Sequence, residues 1–284
     1  MKKVSKKTLN GLYVAKIVMW LKNQPTKGFV IGVSGGIDSA LVSTLCAMTE
    51  KEVHLVSMPI KQASDQLPRA QKHMAWLKKK FTNVTCHEND LTKVFYETLN
   101  AFPNVGISEL ATVNARSRIR MVHLYMYANN FGCMVAGTGN KVEDYGVGFF
   151  TKYGDGGVDL SPIGDLTKTE VRELATYLGV NKEIVTAKPT DGLWNDNRGD
   201  EDQIGATYPE LEVAMEQFDT ILSARGIFPS EANGDYKKAV SNGFKEVFGT
   251  ATKRENEVFK IFIDRHFDNG HKMKMPPVCK VKGE

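Results

Sequence analysis

Short apolar runs and amphipathic stretches alternate through the first half of the chain. Leu9, Tyr13, Ile17 and Leu21 recur every four residues, with Leu12 and Val18 nearby, which predicts a helix leading into a strand. Phe29, Val30 and Ile31 form a branched apolar run that reads as a buried parallel strand. It ends in Ser34-Gly35-Gly36, and Ala40, Leu41, Val42, Leu45 and Met48 then follow at helical spacing. A second buried strand over 53–58 stops at Pro59. Residues 66–80 predict a helix with Leu67, Ala70, Met74 and Leu77 on one face and lysines on the other. A weak third strand over 83–87, a short helix carrying Leu91, Val94, Phe95 and Leu99, and a long helix through Met121, Leu124 and Tyr125 to about 130 come next. Residues 133–136 predict a fourth strand, again opening into glycine, Gly137-Thr138-Gly139. Trp20 and Tyr125 could stack on a base, but both fit the helical stripes and are expected in the core.

The pattern then changes. Residues 138–162 are glycine-rich and carry no sustained apolar period; so long an irregular stretch in a folded domain is more often functional than neutral. The helix over 165–179 is well marked: Thr167 and Glu170 make a capping box, Val171, Leu174, Ala175 and Leu178 face inward, and Gly179 stops it. Residues 189–207 are polar and acidic and read as a mobile surface loop. Helices are expected over 211–224, 236–248 and 253–267, the last with a second capping box, Thr252 and Glu255. Strands alternating with helices argue an α/β fold with a doubly wound parallel sheet, followed by a helical C-terminal part. No boundary is evident, so a single domain is expected, with its core over about 28–190 and a helical region over about 207–284.

Composition changes this picture little. Of 284 residues, 42% are hydrophobic and 25% charged, and the net charge of +4 is too weak to demand a nucleic-acid partner. No apolar run approaches the roughly 20 residues of a membrane span, and the Lys-rich N-terminus lacks a signal-peptide core. The four cysteines are scattered with no Cys-x-x-Cys pair, which suits free thiols in a reducing cytoplasm. A cytoplasmic protein without nucleic acid or membrane partners is expected.

The candidate chemistry begins at Gly32-Val33-Ser34-Gly35-Gly36-Ile37-Asp38-Ser39. A strand, a glycine turn and a helix start bring backbone N–H groups and the helix dipole to bear on one anion. The serine hydroxyls add donors, and Asp38 offers a carboxylate that is either a magnesium ligand or a helix cap. The spacing is neither a Walker loop nor the dinucleotide fingerprint. After the fourth strand, Thr138 is a candidate nucleotide donor and Glu143 a second hard oxygen ligand, against a plain turn. Lys168 opens a helix, where a cation opposes the dipole, a mismatch that hints at an anionic ligand.

Residues 32–39 resemble the pyrophosphate-binding loop of the N-type ATP pyrophosphatases. The blocks behind it narrow the resemblance: Gly137-Thr-Gly-Asn-Lys-x-Glu-Asp144, Phe149-Phe-Thr-Lys-Tyr-Gly-Asp-Gly-Gly-x-Asp159, Leu166-Thr-Lys-Thr-Glu170, Lys188-Pro-Thr190 and Gly270-His-Lys272 are similar, in order and spacing, to the NAD synthetase family. That resemblance implies an adenine nucleotide alpha hydrolase-like fold and a ligase reaction that joins ammonia to deamido-NAD+ at the expense of ATP. The substrate carboxylate would take AMP from ATP, ammonia would displace it, and NAD+, AMP and pyrophosphate would leave. By position, residues 32–39, Thr138, Lys168 and Thr190 would hold ATP, and Asp38 and Glu143 magnesium. Arg118, Lys152, Asp159, His271 and Lys272 would hold deamido-NAD+.

Arg116 and Arg120 flank Arg118 and point elsewhere on a helix, so one of the three is expected to face the ligand. Asp155 is either an ammonia-orienting group or a turn cap. The resemblance further implies a homodimer with the dinucleotide site at the subunit interface. The stretch ahead of Gly28 leaves no room for an amidotransferase domain, so free ammonia is the expected nitrogen source. The acidic loop over 191–206 is a candidate lid against water. Other enzymes with this loop, of the tRNA-thiolating or GMP-forming type, and a nucleotide-binding module without catalysis are the competing readings.

Overall fold

In a computed structural model, residues 5–60, 65–103, 106–190, 192–194, 198–225, 234–279 and 281 are described. The chain divides into two compact units, one of Met1–Lys141 with Phe150–Gln203, the other of Val142–Phe149 with Ile204–Glu284.

The first unit is built on four parallel strands in the order β3-β2-β1-β4: β1 Gly28–Gly32, β2 Glu52–Ser57, β3 Val84–Glu88 and β4 Met134–Val135. Successive residues of β1 turn to opposite faces, and both faces are buried. Phe29 and Ile31 join an apolar cluster with Leu41, Leu45 and Leu174, while Val30 joins Val56, Val135, Phe95 and Ala128. This two-faced burial is why the strand reads as an unbroken apolar run. The first cluster is covered by helices α1 (Lys6–Lys22), α2 (Ile37–Ala47) and α3 (Gln66–Lys80). The second is covered by α4 (Thr92–Asn100) and α5 (Glu109–Phe131). Ser5 and Ser108 cap α1 and α5 by accepting from N–H groups three residues on.

A short π-helix (Lys141–Val147), α6 (Lys168–Tyr177), α7 (Lys182–Val185) and α8 (Asp200–Ile204) follow β4. The capping box of Thr167 and Glu170 is present and fixes the start of α6 at Lys168. In the second unit, α9 (Tyr208–Arg225), α10 (Gly234–Val247) and α11 (Lys253–Asn269) enclose Tyr208, Phe218, Phe244, Phe259 and Phe262. The rings of Phe244 and Phe259 stack at 3.9 Å. Val142 and Val147 of the π-helix belong to this core. The second capping box, Thr252 with Glu255, opens α11.

Three expectations are corrected. The glycine-rich stretch after β4 holds the π-helix, whose apolar residues are too few to register as a period. The polar stretch over 189–207 contains α8, and residues 191 and 195–197 of the expected lid lie outside the described residues. Trp20 is 43% exposed rather than in the core, because α1 buries only Val14 and Leu21 fully.

Candidate active site

The strand order places the reversal of winding between β1 and β4, and the crevice above two such strands is where doubly wound sheets take ligands. The loops after β1 and β4 flank it. After β1, the Val33 amide still bonds to the Val56 carbonyl of β2 at 2.9 Å, and the chain then turns sharply. Gly35 has φ +87°, and a Cβ there would lie 2.3 Å from the Gln66 carbonyl oxygen, so only glycine fits. The Ser34 hydroxyl accepts from the Gly36 amide at 3.2 Å, and the Ser39 hydroxyl donates to the Gly36 carbonyl at 3.0 Å. These bonds hold the loop closed on itself. Val33 and Ile37 bury their side chains, so only their backbone can serve a phosphate. Gly36 caps α2 without a side-chain bond, and the first N–H groups of this buried helix open at the loop.

Asp38 lies in the first turn of α2, and the structure brings Lys168 to it. The Lys168 ammonium donates to Asp38 Oδ2 at 2.7 Å, and the Asn140 amide donates to Oδ1 at 3.1 Å. Lys168 is 3% exposed, so its charge sits where water does not screen it. The cation that seemed misplaced at a helix start thus has an in-chain counter-charge from the other side of the crevice. Asn140, fully buried, is a site residue that the sequence reading passed over although it stands inside the Gly-Thr-Gly-Asn-Lys motif. Gly137 sits where a Cβ would meet Val158 at 2.8 Å, which lets the loop of half-buried Thr138 pack against the 158–160 segment.

The carboxylates of the 150–159 block are bonded within it and to α5 and β4. Asp155 Oδ1 accepts from the Ser117 hydroxyl at 2.7 Å and from the Thr151 amide at 3.0 Å, the geometry of a turn cap. Asp159 accepts from the Val135 amide of β4 at 2.8 Å and from the Tyr125 hydroxyl at 3.0 Å. Burial first, and then Asp159, push the Tyr125 phenol up to about 12. Tyr125 is therefore half-buried with a bonded hydroxyl rather than a plain core ring. Lys152 is half-buried, with its ammonium 5.5 Å from the Tyr153 ring centroid.

The three arginines of α5 separate as the helix geometry requires. Arg116 is buried, donates to the Leu193 carbonyl and stacks over Phe95 at 5.0 Å. Arg120 donates to the Met58 carbonyl at 3.0 Å. Arg118 is exposed, with its guanidinium 3.3 Å from the Lys152 carbonyl, beside a second residue assigned to the same substrate. Thr190 is occupied locally: its hydroxyl donates to the Arg198 carbonyl at 3.1 Å and accepts from the Gly192 amide at 3.2 Å.

Glu143, His271 and Lys272 belong to the second unit. There the Tyr208 hydroxyl donates to Glu143 Oε1, and Lys272 donates to the Gly148 carbonyl at 3.0 Å. His271 is exposed and bonds the Asp268 carbonyl at 3.2 Å.

The sequence matches the family model described as NAD synthase over residues 13–255. An NH3-dependent NAD+ synthetase of Archaeoglobus fulgidus is 36% identical over 263 residues, 90% of this chain and 89% of that one. Among solved structures, an NMN synthetase from Francisella tularensis superposes with a TM-score of 0.76 at 27% identity, covering 98% of this chain and 100% of its own. The NH3-dependent NAD synthetase of Campylobacter jejuni, solved with nitrate ion, gives 0.68 at 25% identity with the same coverage. A parallel sheet with its pyrophosphate-type loop at the switch point, and a match running through most of the chain, lead to one statement: the chain belongs to the NAD synthase family.

Proposed function

We propose that the chain amidates deamido-NAD+ with ammonia in an ATP-dependent ligase reaction, through an acyl-adenylate, giving NAD+, AMP and pyrophosphate. The observation that carries this at the level of chemistry is the Asp38–Lys168–Asn140 cluster beside the 32–39 loop. A buried cation and converging N–H groups suit an ATP split at its α-phosphate, where negative charge builds on the separating phosphates. The carboxylate oxygen of deamido-NAD+ attacks the α-phosphorus as the bond to the β-phosphate oxygen breaks. Ammonia then attacks the acyl carbon, AMP leaves with its electron pair, and the nitrogen loses one proton. No protein nucleophile is needed, so positioning and charge neutralisation supply the rate.

Loop residues 32–39 with Thr138, Lys168 and Thr190 are assigned to ATP, and Arg118, Lys152, Asp159, His271 and Lys272 to deamido-NAD+. For Asp155 the turn-cap geometry favours a positioning role over direct handling of ammonia. Magnesium suits the chemistry of the donor set, since carboxylate oxygens are its hard ligands and Asp38 places one beside the 32–39 loop. Asp38 and, by family resemblance, Glu143 are the residues assigned to it; the ion would neutralise phosphate charge.

A homodimer is part of the same reading. Val122 and Met126, one and two turns beyond Arg118 on α5, are large exposed apolar side chains next to residues assigned to the dinucleotide. None of the described helices is long and apolar enough to cross a membrane, and the four cysteines are free, which suits a cytoplasmic enzyme.

The test is a product assay with ATP, magnesium, ammonium and deamido-NAD+, run beside its mononucleotide because the Francisella neighbour is an NMN synthetase. NAD+ and AMP in equal amounts are expected with the dinucleotide. AMP formed only with another acceptor overturns the assignment. Sedimentation of the protein and of Met126→Asp should show a dimer and a monomer respectively.

A further inference from the structure

The sheet has a second cluster of chemical groups at the opposite end of its strands. Glu52 starts β2 in register with Gly28, and His54 pairs with Val30, while Cys133 immediately precedes β4. Side chains alternate along a strand, so Glu52 and His54 share a face, and Cys133 shares that face with Val135, under α5. The strands run parallel, so this end of the sheet is about 13–20 Å from the 34–39 loop, four residues from Val30 or six from Gly28 to Ser34 at about 3.3 Å each.

His54 is held firmly there. Its ring stacks on Phe131 of α5 with centroids 4.0 Å apart and planes 8° apart, and its side chain is 9% exposed. Nδ1 lies 3.1 Å from His87 Nε2 of β3. Nε2 is buried and has no hydrogen-bond partner. It points toward Glu52 Oε2 at 4.0 Å, and the donor atoms of Glu52, His54 and Cys133 all lie within 4.8 Å of one another.

We propose that Glu52, His54 and Cys133 bind one divalent cation of the zinc class, separate from the magnesium and ATP chemistry of the crevice. The geometry admits the tautomer that a metal needs, since Nδ1 has a partner in His87 and Nε2 has none. A neutral imidazole has one N–H and one lone pair, so if His54 Nδ1–H donates to His87 Nε2, the His54 Nε2 lone pair is presented to the cluster. This is the arrangement of a metal-ligating histidine whose second nitrogen is oriented by a neighbour.

The donor set selects the ion. Thiolate, imidazole and carboxylate suit zinc, whereas magnesium takes oxygen. Zinc ligands at about 2.0–2.3 Å from the ion lie about 3.3–3.8 Å apart, so closure needs about 1 Å. Exposed Glu52 can supply that through its flexible side chain. The fourth position would be left to water. Binding forms the metal–sulfur bond as the Cys133 thiol proton passes to solvent. The site would tie the start of β2 to the start of β4 across β1.

The full-length protein, stripped with chelator, is titrated with Co2+ and then with Zn2+. Expected is a thiolate-to-cobalt charge-transfer band that saturates at one equivalent, is erased by Zn2+, and is unaffected by Mg2+. Cys133→Ser should abolish the band and Cys279→Ser should leave it intact. Glu52→Gln, at an exposed position that leaves the core untouched, should weaken affinity at least tenfold. His87→Phe, which removes only the orienting acceptor, should weaken it about 10–100-fold. Absence of the band, its survival in Cys133→Ser, or an unchanged affinity in Glu52→Gln overturns the proposal. The Glu52→Gln result decides the matter if Cys133→Ser does not fold.

Discussion

The 34–39 loop and the 150–159 block both look like ligand-binding chain, but their polar groups are used differently. In the loop, Asp38 bonds to side chains from distant elements, Asn140 and Lys168, and the helix N–H groups open toward the crevice. In the block, Asp155 and Asp159 bond largely to backbone amides and to hydroxyls of α5. Tyr153 even adopts φ +62°, a conformation that a bulky residue holds only when its surroundings impose it. A dense motif can therefore be one that shapes a wall rather than one whose carboxylates all touch substrate. The loop presents charge, and the block holds a surface in position.

The largest expected effect separates charge from architecture in the loop. Asp38→Asn should cut kcat/KM for NAD+ formation by about 10²–10³, the usual cost of losing one preorganised electrostatic group. It should also cost about 3 kcal/mol of stability, because the buried Lys168 ammonium loses the carboxylate it is paired with. Asp38→Asn combined with Lys168→Met should recover much of the stability, measured in urea, and none of the activity. Recovery of both would reduce Asp38 to a structural role.

Acid should act on the helix that carries the loop. His73 of α3 bonds Ser43 of α2 at 2.9 Å, and burial lowers its pKa from 6.5 to about 4. Between those values the unfolded chain holds a proton that the folded chain does not. This contribution to stability is present above pH 6.5 and is lost as pH falls toward 4, on the order of 3 kcal/mol in all. His73→Gln should flatten that slope in denaturation series at pH 7, 6 and 5; parallel profiles would exclude the mechanism.

In the block, Asp155→Ala should lower stability by about 1–3 kcal/mol by leaving the Ser117 hydroxyl and the Thr151 amide without their acceptor. A rise in KM for ammonium alone, with KM for ATP unchanged, would show that Asp155 handles the nucleophile as well. The smallest stability change is expected at exposed Arg118. Arg118→Ala should stay within about 0.5 kcal/mol of the parent while KM for deamido-NAD+ rises about tenfold to a hundredfold. Arg116→Ala, at a buried position, should do the reverse.

The central strands β1 and β2 were legible because they are buried on both faces, which writes an apolar run between turn residues, whereas edge strand β3 is half-exposed and reads weakly; α3 matches its reading over 66–80. Both capping boxes were legible because they are local, three residues apart. The Asp38–Lys168 pair was not, since it joins residues 130 apart and no local pattern encodes that approach. Asn140 escaped for the same reason. The π-helix escaped because Val142 and Val147 reach the core at a spacing that matches neither a strand nor an α-helix. The resemblance named the arginine on α5; Arg116 and Arg120 turn to the Leu193 and Met58 carbonyls, while Arg118 is exposed beside the Lys152 carbonyl.

The π-helix also bears on how the second unit can be made. Its core takes Val142 and Val147 from a segment that the chain leaves at Phe149 and does not rejoin until Ile204. The unit is therefore discontinuous in sequence, and a C-terminal fragment beginning at Ile204 lacks two buried side chains of its own interior. On the ribosome, the three C-terminal helices complete around a piece of chain synthesised well before them. Folding order is thereby coupled to connectivity: the early-made segment must be held available until the last helix emerges.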